Sequence, residues 1–210
     1  LHLHGEMLNP DDGTFIADHE THVTHSLLAN LSYALTAGDK AMVDWVRKGY
    51  ESNMKKRDPD RVGVVYSKEA CSVSDMLGIG VMMSLNGVGD YWDDADRWVR
   101  NTFLDLQVTS MERLKNTPNV MMLPTGPFTQ ALQFKPGFEM PRDAAERSVG
   151  IWLAALDNPW WSMGCCNGNA SRMLYYVWDN IVSEKPDSLS VNLLLNRASS
   201  SADVNSWLPY

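Results

Sequence analysis

Three cysteines and one glutamate occupy positions where chemistry is readily built. The only cysteines are Cys71, Cys165 and Cys166. An odd number fits a disulfide scaffold poorly, and adjacent cysteines such as Cys165 and Cys166 rarely bridge each other without strain. Free thiols, kept for a metal or for catalysis, become the question. Gly164-Cys165-Cys166-Asn167-Gly168-Asn169 stands just before a helix-like run. Free backbone N–H groups and the helix dipole stabilise an anion there, which makes a thiol a better nucleophile and ligand. Asn167 or Asn169 is placed to cap that helix. The competing reading is a pair of small buried residues at a tight turn.

Glu69-Ala70-Cys71 is the second signal. Residues two apart diverge on a helix but share a side in an extended segment. Val62 to Ser67 is not helical in character, and the next helix is expected near Ser72, so Glu69 and Cys71 are expected to face one site. The alternative is a surface glutamate beside a core cysteine. Taken together, one carboxylate and three thiolates (Glu69, Cys71, Cys165 and Cys166) suit a four-coordinate zinc ion. Sulfur-rich ligation selects zinc over magnesium or calcium. The paired Cys-x-x-Cys knuckles of a zinc finger are absent.

Other side chains qualify for contact with a ligand. His19, His22 and His25 recur every three residues, near one face of a helix; they read as a metal site that would compete with the cysteines, or as capping residues in solvent. Trp160 and Trp161 precede the cysteine pair, and a flat indole face stacks on a sugar ring or packs in a core. Met82-Met83 and Met121-Met122 read as packing.

These residues must be held by helices. Apolar residues at helical spacing predict helices over His22–Thr36, Ala41–Met54, Ser72–Leu85, Tyr91–Leu106 with continuation to Leu114, Pro141–Leu156 and Asn169–Val182. Pro118, Pro124, Gly126, Pro127, Pro136 and Gly137 mark a long loop region, and Ser190–Leu195 reads as a strand. Gly38-Asp39 and Gly89-Asp90 each precede an Asp/Trp/Val/Arg-bearing helix, roughly fifty residues apart, a period that fits stacked helical hairpins. The expected fold is all-α: part of an (α/α) toroid or barrel over residues 1–186, entering a β-sandwich region at 187–210. Six helices make about half of such a ring, so a piece of a longer chain is expected.

The formal net charge is -8, and no basic cluster exceeds Lys55-Lys56-Arg57. That argues against a nucleic-acid or anionic-membrane partner. No apolar run approaches the ~20 residues that span a bilayer.

Glu69-x-Cys71 followed by a helix, then Cys165-Cys166 followed by Asn169 and a helix, resembles the signature of glycoside hydrolase family 127, the β-L-arabinofuranosidases. Thr21-His22-Val23, Leu35-Thr36-x-Gly38-Asp39 and Ser190-Val191-Asn192-Leu193 resemble family stretches in the same order. The resemblance implies a retaining glycosidase for furanosyl glycans, with Cys165 as nucleophile and zinc on Glu69, Cys71, Cys165 and Cys166. It implies a carbohydrate substrate, with His19, His22 and Trp160 as contacts. The family places its acid on a glycine-rich loop before Glu-x-Cys. Here Arg57-Asp58-Pro59-Asp60-Arg61-Val62-Gly63 holds no glutamate; Glu51 is near in sequence but reads as part of a helix, and Glu20 is the other candidate acid. Two other classes stay open: a non-catalytic, zinc-stabilised helical module, and an epimerase or lyase on an α/α barrel.

Overall fold

The computed structural model describes residues 7–16, 20–55, 69–110, 112, 149–154 and 164–207. Five helices account for most of them: α1 (Glu20–Ala37), α2 (Lys40–Lys55), α3 (Ala70–Leu85), α4 (Trp92–Trp98) and α5 (Gly164–Asp179). The chain leaves α4 through a π-helical turn, Val99–Phe103. A two-stranded antiparallel sheet follows α5, with β1 (Val182–Lys185) paired to β2 (Ser188–Val191). The described residues are thus mostly helical with one small sheet, as an all-α reading expects.

The apolar pattern explains which helix lies innermost. Every residue of α3 from Ala70 to Val81 is buried, as a helix that is apolar around most of its circumference requires. It packs against α1, α4 and α5, while α2 packs on α1. The shared core contains Leu27, Leu31, Tyr50, Met76, Leu77, Ile79, Trp98, Phe103 and Met173.

The first two helices are joined by matched local signals. Gly38 takes φ 72°, and the Asp39 N–H bonds the Ala34 carbonyl at 2.9 Å, which closes α1 with a Schellman turn. Asp39 then opens α2 by accepting the Met42 N–H at 3.0 Å. Gly87 closes α3 in the same way, with φ 69° and the Val88 N–H on the Met83 carbonyl at 3.0 Å. The structural counterpart of Gly38 is therefore Gly87, and not Gly89 as the sequence echo implied. Asp39→Ala is expected to destabilise the protein by about 1 kcal/mol, and Asp39→Ser to recover most of it; the shift of the urea midpoint measures both.

Three expectations need correction. Residues 149–154, within the helix expected over Pro141–Leu156, run through a turn into extended chain, with Trp152 bridging Gln107. Gly150 has φ 97°, a conformation that no helix interior accepts. The fourth helix does not run on through 107–110, because Gln107 and Val108 pair with this segment; Leu114 lies outside the described residues. The last helix ends at Asp179, and residues from Val182 turn into a hairpin whose second strand is Ser188–Val191 rather than Ser190–Leu195. The boundary between 186 and 187 falls in the turn of that hairpin. The stretch 118–137 and the segment 57–63 lie outside the described residues.

The extended segment has a positioning role. The Ala70 N–H, at the start of α3, bonds the Ala154 carbonyl at 2.9 Å. The Trp152 N–H bonds Asn167 Oδ1, near the start of α5, at 2.8 Å. One short piece of chain thus ties the entrances of two helices together, and those entrances carry the cysteines.

Candidate metal centre

The four residues singled out by type and spacing meet. Glu69 is the cap of α3, with an extended backbone (φ -81°, ψ 132°), and Cys71 is the second residue of the helix. Cys165 and Cys166 lie in the first described turn of α5, rather than before it. The ligand atoms of Glu69, Cys71, Cys165 and Cys166 all lie within 4.8 Å of one another. Cys71 Sγ stands 3.6 Å from Cys166 Sγ, and Cys166 Sγ stands 3.7 Å from Glu69 Oε1.

These spacings can be tested against a metal. Zinc–sulfur bonds of about 2.3 Å at a tetrahedral angle put two sulfurs about 3.8 Å apart, and a sulfur and an oxygen about 3.5 Å apart. Both short separations agree with that to within a few tenths of an ångström. The 4.8 Å limit requires the widest pair to close by no more than about 1 Å. Three sulfurs and one oxygen are also a donor set that zinc accepts. The residues fit the ion.

Burial divides the three thiols. Cys71 and Cys166 are buried, and Cys165 is exposed. The adjacent Cys166 thiol, then burial, hold the Cys71 thiol well above its ordinary range, whereas the Asn169 amide works in the opposite direction. Bringing several thiolates together out of water is unfavourable without a compensating cation, and a coordinated divalent ion reverses that balance.

The surroundings are ordered by three helices that run side by side from this end. Thr21 of α1 donates to Glu69 Oε2 at 2.8 Å and lies 2.7 Å from Ser72 Oγ. One turn further along, His25 Nδ1 meets Asp75 Oδ2 at 3.0 Å, and Thr24 donates to the same oxygen at 3.1 Å. Asp75 is fully buried, and desolvation raises its pKa while His25 lowers it. Beyond these residues opens a cleft of about 370 Å³, lined among others by His25, Leu28 and Ser32 of α1, Gly78 and Met82 of α3, and Arg172 and Tyr176 of α5. The same helical spacing, i, i+4, i+7, i+11, joins Thr21 to Ser32, Cys71 to Met82 and Cys165 to Tyr176. Cluster and cleft are therefore successive levels of one trench.

The remaining sequence candidates are placed less directly. His22 is exposed and a hundred degrees around α1 from Thr21, whereas its neighbour His25 reaches the trench. Glu20 lines a small space with Phe15, Thr24, Ser72, Val73, Met76 and Trp98, apart from the cleft that His25 and Arg172 line. His19 and Trp160 lie outside the described residues. Neither Asn167 nor Asn169 acts as a helix cap: Asn167 accepts from Trp152, and Asn169 Nδ2 donates to Cys71 Sγ at 3.2 Å. Sequence reasoning missed the Asp75–His25 pair. Its one sequence trace is that Asp75 stands four residues after Cys71, on the same face of an otherwise apolar helix.

No protein family model, characterised protein or solved structure matches the chain.

Proposed function

We propose that the chain carries the zinc-thiolate centre of a retaining glycoside hydrolase for furanosyl glycans, with β-L-arabinofuranosyl units as the substrate, built on an α/α ring of helical hairpins. The observation that carries this reading is the meeting of four ligand atoms, from residues 97 positions apart at the extremes, within 4.8 Å. The alternation of α1, α3 and α5 in one layer, with α2 and α4 packed against it, supports the ring.

Zinc, when bound, supplies the positive charge that keeps its cysteine ligands deprotonated at neutral pH. The chain does the rest. Cys165, the exposed thiol, attacks the anomeric carbon; a carbon–sulfur bond forms as the carbon–oxygen bond to the leaving group breaks. Water then displaces the sulfur from the same carbon, and two inversions give retention. Glu69, held by Thr21, fixes the other side of the cluster. The trench beyond His25 and Arg172 takes the sugar, with carbohydrate as the partner. Glu20, which lines the small space beside Thr24 and Ser72, is the candidate acid.

Incubation of the metal-loaded chain with p-nitrophenyl β-L-arabinofuranoside in methanolic buffer tests this reading. A methyl glycoside of unchanged anomeric configuration is expected, read by proton NMR. Glu69→Ala is expected to weaken zinc by more than the ~10–100-fold typical of an outer partner, measured by competition with a chromogenic chelator.

A second reading has its own observation. Four protein ligands, two of them fully buried cysteines, make a closed coordination set, which is the habit of a structural zinc site. A metal-loaded protein that melts cooperatively but cleaves no furanoside favours that non-catalytic module.

A further inference from the structure

The cluster has a supporting layer that reaches out of the core in a single file of contacts. Asn169 Nδ2 donates to Cys71 Sγ at 3.2 Å. Arg172 Nη2 donates to Asn169 Oδ1 at 3.4 Å, and the same nitrogen stands 3.8 Å from Asp75 Oδ1. The other Asp75 oxygen receives His25 and Thr24. A primary amide can turn over and offer its oxygen in place of its nitrogen. An oxygen turned toward the sulfur would repel it, so the orientation matters. Arg172 has only donors, and it therefore selects the orientation in which the amide oxygen points to the guanidinium and the N–H₂ to the sulfur. The fully buried Asp75 carboxyl group lies within ion-pair distance of that guanidinium, whose side chain is half exposed.

We propose that Asn169 is a positioning residue of the zinc-thiolate centre, that its N–H···S bond carries part of the charge on the Cys71 sulfur, and that Arg172, anchored on Asp75, acts on the centre only through the Asn169 amide. The spacing explains why the file exists. Asn169 and Arg172 stand four and seven residues after Cys165, and Asp75 stands four after Cys71, so the second level of the trench lies directly beneath the first. Outer partners of this kind fix ligand direction and donor strength. An N–H pointed at a coordinating sulfur withdraws charge from it, which weakens sulfur-to-metal donation while making the bound anion cheaper to bury.

The proposal rests on the metal reading of the cluster, and the test separates the two. The full chain is titrated with Co²⁺ as a spectroscopic probe, then with zinc in competition. Asn169→Ala is expected to lower zinc affinity by about 10–100-fold and to shift the sulfur-to-cobalt charge-transfer band. Asn169→Asp, of the same size, is expected to lower it at least as much. Arg172→Ala is expected to weaken zinc in the Asn169 protein but to add nothing in the Asn169→Ala background, because coupled residues are not additive. An unchanged band and affinity in both Asn169 variants, or an Arg172 effect that adds in full, overturns the proposal. A wild-type chain that shows no sulfur-to-cobalt band overturns the metal reading and the proposal together.

Discussion

Cys165→Ser is expected to abolish glycoside turnover, by on the order of 10⁴-fold or more, the scale seen when an enzyme loses its nucleophile. The expectation follows from burial as much as from chemistry. Of the three thiols, Cys71 and Cys166 are closed inside the protein and only Cys165 meets solvent, so only Cys165 has a side from which a sugar carbon can approach. Serine keeps the shape but not the acidity; its hydroxyl stays protonated and is a poor match for a thiolate as nucleophile and ligand. The same substitution is expected to weaken zinc, because Cys165 is one of the four residues whose ligand atoms are close enough to share an ion. Rates measured at saturating zinc therefore separate the two losses. Full activity in the metal-loaded Cys165→Ser protein removes the mechanism.

Chelation is the second large effect. A ligand present at a thousandfold excess over its Kd stabilises the folded state by about 4 kcal/mol. For a chain of this size, that corresponds to about 8–16 °C in the melting midpoint. The reason to expect so much lies in what the cluster joins. Glu69 and Cys71 start α3, Cys165 and Cys166 start α5, and the Ala70–Ala154 and Trp152–Asn167 bonds lie alongside. Stripping the proposed ion is expected to loosen the entrances of two helices at once. Scanning calorimetry of the zinc-loaded chain, with and without a chelator, reads the difference; coincident midpoints contradict a metal that braces the fold.

How far the site was legible in the sequence depends on which distances local patterns encode. The helices α1, α2 and α3 begin and end within a few residues of their expected bounds, because Gly38, Asp39 and the periodic apolar positions are strong, local signals. The grouping of Glu69 with the three cysteines was legible from donor chemistry, since no other carboxylate sits two residues from a cysteine. Residues 149–154 were not legible. Val149-Gly150-Ile151-Trp152-Leu153-Ala154 is a short apolar run, and such runs do not distinguish a buried helix from extended chain; its backbone–backbone hydrogen bonds go to Leu106, Val108 and Ala70, partners more than forty residues away. The choice between His22 and His25 was equally hidden. Both stand in the first turns of α1, and only the rotation of α1 against α3, set by Val23, Leu27 and Leu31 in the core, decides which one meets Asp75. The π-helical turn at Val99–Phe103 adds one residue per turn for which no local pattern gave notice.

The direct measurement of the central claim is X-ray absorption at the zinc edge on the zinc-loaded full chain. Three sulfur scatterers at about 2.3 Å and one oxygen at about 2.0 Å are predicted, with one sulfur lost in Cys71→Ser. A shell made of nitrogen and oxygen alone, or a chain that retains no zinc, contradicts it.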